Sequence, residues 1–190
     1  MANQTGKISF VNIIFFVIFG VLTGVLWFYG SPIPLIPGSV YLRTFAFVAP
    51  VIGFLFGPVT GFFSGYVGTL VWSLLAATFI PLHTPLADGV TVGLSAALPV
   101  LLTIGRGSLE EAIGKSKKTF IIKSMIMSIA AGVAMILSTS ASLAFFTGLD
   151  YLWCVLWIGI ADIAPLILVP FAVVLLAPRL KRVQTIMPRI

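Results

Sequence analysis

Long apolar segments, broken by proline and glycine, constrain the fold of this chain more than any other feature. The first runs from Ile8 to Tyr29 and would be about 33 Å long as a helix, enough to cross a bilayer core. It ends in the aromatic run Leu26–Tyr29, which is typical of a membrane interface, so we expect a retained helix and not a cleaved signal peptide. Only 8% of the residues are charged and 59% are hydrophobic. This composition predicts an integral membrane protein and argues against cytosolic catalysis or nucleic-acid binding as a primary role.

Breaks in the apolar sequence predict six membrane helices. Tyr41–Phe79 would be about 58 Å long as one helix, nearly twice the bilayer core, so we expect it to fold back at Gly57-Pro58. The predicted helices are residues 8–29, 41–56, 59–79, 88–104, 119–146 and 152–177, in one all-α membrane domain spanning residues 1–190. The two loops 30–39 and 80–87 are rich in proline yet apolar, so we expect them to pack down as a lid.

Short patterns add detail to these helices. Glycines recur at four-residue spacing and predict a close-packed seam in the hairpin between the second and third helices: Gly53, Gly57, Gly61 and Gly65. Asp88 is predicted to cap the fourth helix, and Ser108 with Glu111 forms a capping-box pattern for a short interfacial helix. Pro165 and Pro170 are expected to bend the last helix.

The distribution of basic residues predicts the orientation. Six crossings leave both termini on the same side, and that side then carries every Lys and Arg of the total of 11 except Arg43. The positive-inside rule assigns that side to the cytoplasm. We therefore expect a multi-pass protein of the cell membrane with cytoplasmic N and C termini.

The sequence offers little material for catalysis. It has one histidine, one cysteine (Cys154) and five acidic residues, so motifs with paired histidines and carboxylate-rich metal sites are absent from it. It also has no G-x-x-x-x-G-K-[ST] nucleotide loop. We expect no enzymatic activity and no intrinsic cofactor. Energy for any active transport must come from an ion gradient or from another subunit.

Asp162 and Arg43 lie within predicted helices and leave alternatives open. Asp162 lies about 15 Å into the last helix, where it is either a ligand or proton site or a structural hydrogen-bonding group. Arg43 either extends to the interface or lines a pocket. Other polar and aromatic residues cluster near the outer ends of the helices. The candidate substrate-binding residues are Tyr41, Arg43, His83, Asp88, Ser138, Trp153, Trp157 and Asp162.

In its size, helix count and lid-like outer loops, the chain resembles the substrate-binding S-component of energy-coupling factor (ECF) vitamin transporters. The segment from Phe54 to Gly65 is similar to the hairpin between helices 2 and 3 of that family. The resemblance implies capture of a vitamin from outside and delivery by toppling on a module of one transmembrane coupling protein and two ATPase subunits. It also implies that Gly20 and Gly24 form the coupling-protein interface, although packing within the chain is the alternative.

The sequence is most similar to the cobalamin-specific S-components, so cobalamin (vitamin B12) is the expected ligand. Pantothenate, folate or a pyridoxine-like vitamin remain open. Two further hypotheses are a stand-alone proton-coupled carrier that uses Asp162, and a membrane scaffold without a ligand.

Overall fold

The computed structural model describes residues 10–30, 33–36, 40–105 and 107–186 of the chain. These residues are mostly helical, apart from one short antiparallel β-hairpin. The elements are α1 (Phe10–Gly30), β1 (Pro34–Ile36), β2 (Val40–Tyr41), α2 (Val48–Phe56), α3 (Pro58–Leu75), a π-helical turn (His83–Asp88), α4 (Gly89–Ile104), α5 (Leu109–Lys115), α6 (Lys117–Thr147), α7 (Tyr151–Leu166), α8 (Val169–Leu176) and α9 (Lys181–Ile186). The predicted start of the first helix at Ile8 lies outside the described residues.

Among the described residues, 5 helical stretches are long and apolar enough to cross a membrane. They are Phe10–Gly30, Pro58–Leu75, His83–Ile104, Lys117–Thr147 and Tyr151–Leu176. Their lipid-compatible outer surfaces and buried inner faces are those of a helical bundle in a bilayer. The prediction of an all-α, multi-pass membrane protein is confirmed.

The predicted helix over residues 41–56 is wrong in its first half. α2 has 9 residues and is about 13.5 Å long, too short to cross the core by itself. Tyr41 belongs to β2, and residues 44–47 form turns. Tertiary contacts hold this segment out of the helix: Trp27 Nε1 donates to the carbonyl of Phe45 at 2.8 Å, and Thr44 Oγ1 donates to the carbonyl of Gly30.

The predicted helix over residues 59–79 ends earlier, at Leu75. Ala77 adopts a left-handed backbone with φ of 54°, and the amide of Thr78 donates to the carbonyl of Ser73 at 2.9 Å. This is a Schellman helix end, which glycine usually forms, so the alanine gave no signal in the sequence. The last predicted helix is divided into α7 and α8 between Pro165 and Pro170, as the prolines predict. The capping box of Ser108 and Glu111 on α5 is also confirmed.

Glycines bring the central helices together. A Cβ atom on Gly61 would meet the Cα of Gly53 at 2.6 Å, which confirms close packing of α2 against α3. Gly65 instead contacts α4, where a Cβ would lie 2.9 Å from the carbonyl oxygen of Val92. The predicted seam therefore joins three helices and not only two.

Gly20 and Gly24 do not form a free surface, which corrects their assignment to a partner interface. Both are buried where α1 crosses α3. A Cβ on Gly24 would lie 2.6 Å from the Cβ of Val71, and a Cβ on Gly20 would overlap Val67. Since α3 already fills the groove along α1, a partner helix cannot enter it.

Candidate functional site

A buried ion pair links the segment before α2 to α7. Arg43 Nε donates to Asp162 Oδ1 at 2.7 Å, and a second guanidinium nitrogen donates to Oδ2. The exposed fractions of these side chains are 9% and 2%. The guanidinium also lies 5.5 Å from the ring centroids of both Trp27 and Trp72. Arg43 therefore does not extend to the membrane surface, and a bidentate, aromatic-flanked pair is a favourable geometry for a buried arginine.

The Arg43–Asp162 ion pair lies inside the helical bundle. Along α3, Trp72 is about 21 Å from Pro58, and Asp162 is about the same distance from Leu176 at the end of α8. The pair therefore lies inside the bundle, nearer the end that carries the β-hairpin. Non-helical backbone at such a depth, as at Arg43, is tolerated where it is buried in protein or lines a polar cavity.

A cavity of about 40 Å³ lies above the Arg43–Asp162 pair; we call it the main cavity. A second space of about 20 Å³ lies on the other side of the pair, against Ala49, Pro50 and Leu166. The ion pair therefore separates two small cavities. By volume, the main cavity holds about three water molecules.

Asp88 lines the main cavity, and its carboxylate is not fully hydrogen-bonded within the described part of the chain. It is at the first position before α4, but its side chain makes no capping hydrogen bond, so the predicted cap is wrong. Its exposed fraction is 8%, and its Oδ1 has no hydrogen-bond partner among the described residues. A buried, unpaired carboxylate oxygen is costly, so its retention needs a reason beyond packing.

Hydroxyl and imidazole groups complete the polar lining. Thr139 Oγ1 lies 2.8 Å from Thr91 Oγ1, and His83 Nδ1 lies 2.9 Å from Ser142 Oγ. Thr78 Oγ1 is buried without a partner among the described side chains and backbone. The rings of Tyr41 and Trp72 pack nearly perpendicular to each other, with 5.9 Å between ring centroids.

Residues 76–88, the cover segment, enclose the main cavity on one side. Ala77 and Leu82 have φ of 54° and 66°, a conformation that costs L-residues free energy. The segment is held by Thr84 Oγ1, which accepts from the amide of Ile80 at 2.9 Å, and it ends in the π-helical turn. Strained backbone and π-turns occur often at ligand sites. The cover segment packs over the main cavity, and its role as a lid stays a prediction.

The structure brings together five of the eight predicted substrate-binding residues around the main cavity: Tyr41, Arg43, His83, Asp88 and Asp162. The other three lie elsewhere. Ser138 is exposed on α6 and donates to the carbonyl of Ala134. Trp153 is 39% exposed and packs edge-on against Trp157, and neither lines the cavity.

Sequence reasoning missed Trp27, Trp72 and Thr139. Small residues at Ser124, Ser128 and Gly132 form a stripe along the buried face of α6. Seven residues, or about two turns, after Gly132 this face leads to Thr139 and not to Ser138. That stripe was the available signal. The two tryptophans gave none, because an aromatic residue near a helix end is usually part of an interfacial belt.

Within the described part of the chain, no group of three or more His, Cys, Asp or Glu residues is arranged to hold a metal ion. Comparison with known families, characterised proteins and solved structures finds no match to this chain. Its function is therefore inferred from the site itself.

Proposed function

We propose that this chain is the substrate-binding membrane subunit of an ECF-type importer, which captures a vitamin-like solute from outside. The observation that carries the proposal is the buried, unpaired Asp88 oxygen in a covered cavity. A scaffold without a ligand has no use for such a group, because an apolar side chain would avoid the desolvation cost. A binding site needs it, since few polar groups in an apolar bundle provide specificity.

The proposed orientation follows from charge. Residues 40–47 and α2 together make a sixth, partly unwound crossing, and both termini are cytoplasmic. Lysines and arginines are exposed at the end opposite the main cavity: Lys115, Lys117, Lys118, Arg179 and Lys181. By the positive-inside rule this end faces the cytoplasm of the cell, so the main cavity and its cover segment face outward.

Energy is supplied by partners. The sequence has no nucleotide loop, and Asp162 is bound at both oxygens by Arg43. An acid held in this way is a poor proton carrier, because each cycle would break a buried ion pair. This supports a coupling protein with two ATPase subunits over a stand-alone carrier that uses Asp162.

The size of the cavity favours a small vitamin over cobalamin. Sites for drug-sized ligands measure about 300–1,000 Å³. The main cavity, at about 40 Å³, would need the cover segment and the β-hairpin to move far apart for a corrinoid. A pyridoxine-like ligand requires less rearrangement.

Calorimetry on the purified chain with cobalamin, pantothenate, folate, pyridoxine and its primary-amine form pyridoxamine tests binding. Uptake of the ligand found is then measured in cells that make the chain with or without the coupling protein and ATPases. We expect accumulation only with the complete module. If the chain alone instead accumulates the solute and loses this accumulation when the proton gradient is dissipated, that result would identify a carrier. If no solute binds, the hypothesis of a scaffold without a ligand is the one that remains.

A further inference from the structure

The ionisable groups around the main cavity leave an excess of negative charge. One arginine, Arg43, faces two carboxylates, Asp88 and Asp162, while His83 is neutral in its ordinary state at pH 7. One cation and two anions leave one net negative charge. All four groups line the main cavity, so they belong to one site.

The guanidinium group of Arg43 is already bound by other groups of the chain. Asp162 binds it through two nitrogens, and the rings of Trp27 and Trp72 flank it at 5.5 Å. An anionic ligand would have to compete with Asp162 for the same guanidinium and would also approach Asp88. Among the described residues, the negative charge left without a hydrogen-bonding partner is that of Asp88.

Two of the hydroxyl groups in the lining, those of Thr139 and Ser73, present acceptors. Thr91 donates its hydrogen to the carbonyl of Ala87 at 2.8 Å, so Thr139 is the donor in the bond between the two threonines. Ser73 likewise donates to the carbonyl of Leu70 at 3.0 Å. The oxygens of Thr139 and Ser73 therefore have only lone pairs left for a ligand.

We propose that the main cavity binds a small organic cation with a protonated primary amine, whose ammonium group is held by Asp88. An ammonium group has three N–H donors, and the site offers the Asp88 carboxylate and two hydroxyl acceptors. The Tyr41 ring adds an aromatic surface of the kind that attracts cations. This proposal rests on the proposed function in treating the cavity as a substrate site, and it names the substrate class.

The test uses three probes of similar size that differ in charge: ethanolamine (cation), ethylene glycol (neutral) and glycolate (anion). Each is titrated into the purified chain, and binding is followed by tryptophan fluorescence, since Trp72 lines the cavity. We expect ethanolamine to bind about tenfold or more tightly than either other probe. Asp88→Asn should weaken ethanolamine binding by a similar factor. Asp150→Asn is the matched control, because Asp150 is an exposed helix cap that asparagine replaces well.

Equal binding of ethylene glycol, tighter binding of glycolate, or binding of none of the three would overturn the proposal. So would ethanolamine binding that survives Asp88→Asn. The charge series uses the unmodified chain, so it decides the ligand class even where the variant does not fold. The fluorescence assay contains no coupling module, so it tests the ligand class separately from transport. If ethanolamine binds but no uptake depends on the module, the importer proposal is rejected and the ligand class is kept. A vitamin taken up by the module without a cation preference would reject only the ligand class.

Discussion

At the scale of single residues, the Arg43–Asp162 pair shows how a buried charge is tolerated. Desolvation of two ions is repaid only when geometry is good and the remaining donors and acceptors are satisfied. Both oxygens of Asp162 receive a guanidinium N–H, and two tryptophans flank the arginine. The sequence places both charges within predicted helices, but their pairing is a contact across 119 positions that no local pattern encodes.

Breaking this pair should be costly. Arg43→Met or Asp162→Asn each leaves the other group buried without its partner, so we expect each to lower the free energy of unfolding by about 3–5 kcal/mol. Thermal unfolding in detergent measures the loss. Lys181→Ala is the control, because it breaks an exposed ion pair with Glu110 and should cost less than about 1 kcal/mol. Equal, small effects of all three variants would refute a stabilising role for the buried pair.

At the scale of elements, the long helices could be predicted from hydropathy, and the irregular segments could not. The core spans of α1, α4 and α6 agree with their predicted ranges within a few residues. The short α2 and the early end of α3 were missed because tertiary hydrogen bonds and an alanine in a left-handed conformation override local preference. These misses occur where the chain lines the main cavity, which is where a functional site is expected to break local rules.

Packing of α1 against α3 gives a prediction at this scale. Gly24→Ala should destabilise the fold by about 1–3 kcal/mol, because the added methyl group meets Val71 and the carbonyl oxygen of Gly68 at 2.7 Å. Gly159→Ala is the matched control in α7, where no described atom lies within 4 Å. It should be neutral or stabilise by up to about 1 kcal/mol. The melting temperatures of both variants test this prediction. An unchanged melting temperature for Gly24→Ala would show that α3 does not fill this face of α1, which would then be available to a partner.

The end of α3 gives a second prediction. Ala77 is exposed and left-handed, so Ala77→Gly removes strain without loss of packing. We expect an increase in stability of about 0.5–1 kcal/mol, seen as a higher melting temperature. A lower melting temperature would show that Ala77 is not strained in the folded chain.

At the scale of the whole molecule, the sequence predicted the class of fold and much of the site, but not its architecture. Composition alone identified a multi-pass helical membrane protein. Five of the eight proposed binding residues surround one cavity because polar residues are rare in this chain and cluster where they are needed. The sequence does not give the rotation of α6 and α7 about their axes. For this reason the sequence analysis selected Ser138 and Trp157, which do not line the main cavity.

Orientation is tested by labelling in sealed cells. A cysteine at Gly114→Cys, an exposed position between Glu110 and Lys115, should react only with reagents that enter the cytoplasm. Tyr151→Cys, at the opposite end of the bundle, should react with impermeant reagents added outside. The reverse pattern would contradict the cytoplasmic assignment of the termini.

The central claim is that a solute binds in the main cavity, and calorimetry on two aromatic variants tests it most directly. The titrant is the solute found to bind the unmodified chain. Tyr41 lines the cavity, whereas Trp153 lies outside it on the exposed face of α7. We predict that Tyr41→Ala weakens binding by about 1–3 kcal/mol and that Trp153→Ala leaves the affinity unchanged. Loss of binding in Trp153→Ala, with full affinity retained in Tyr41→Ala, would contradict the claim and move the site outside the bundle.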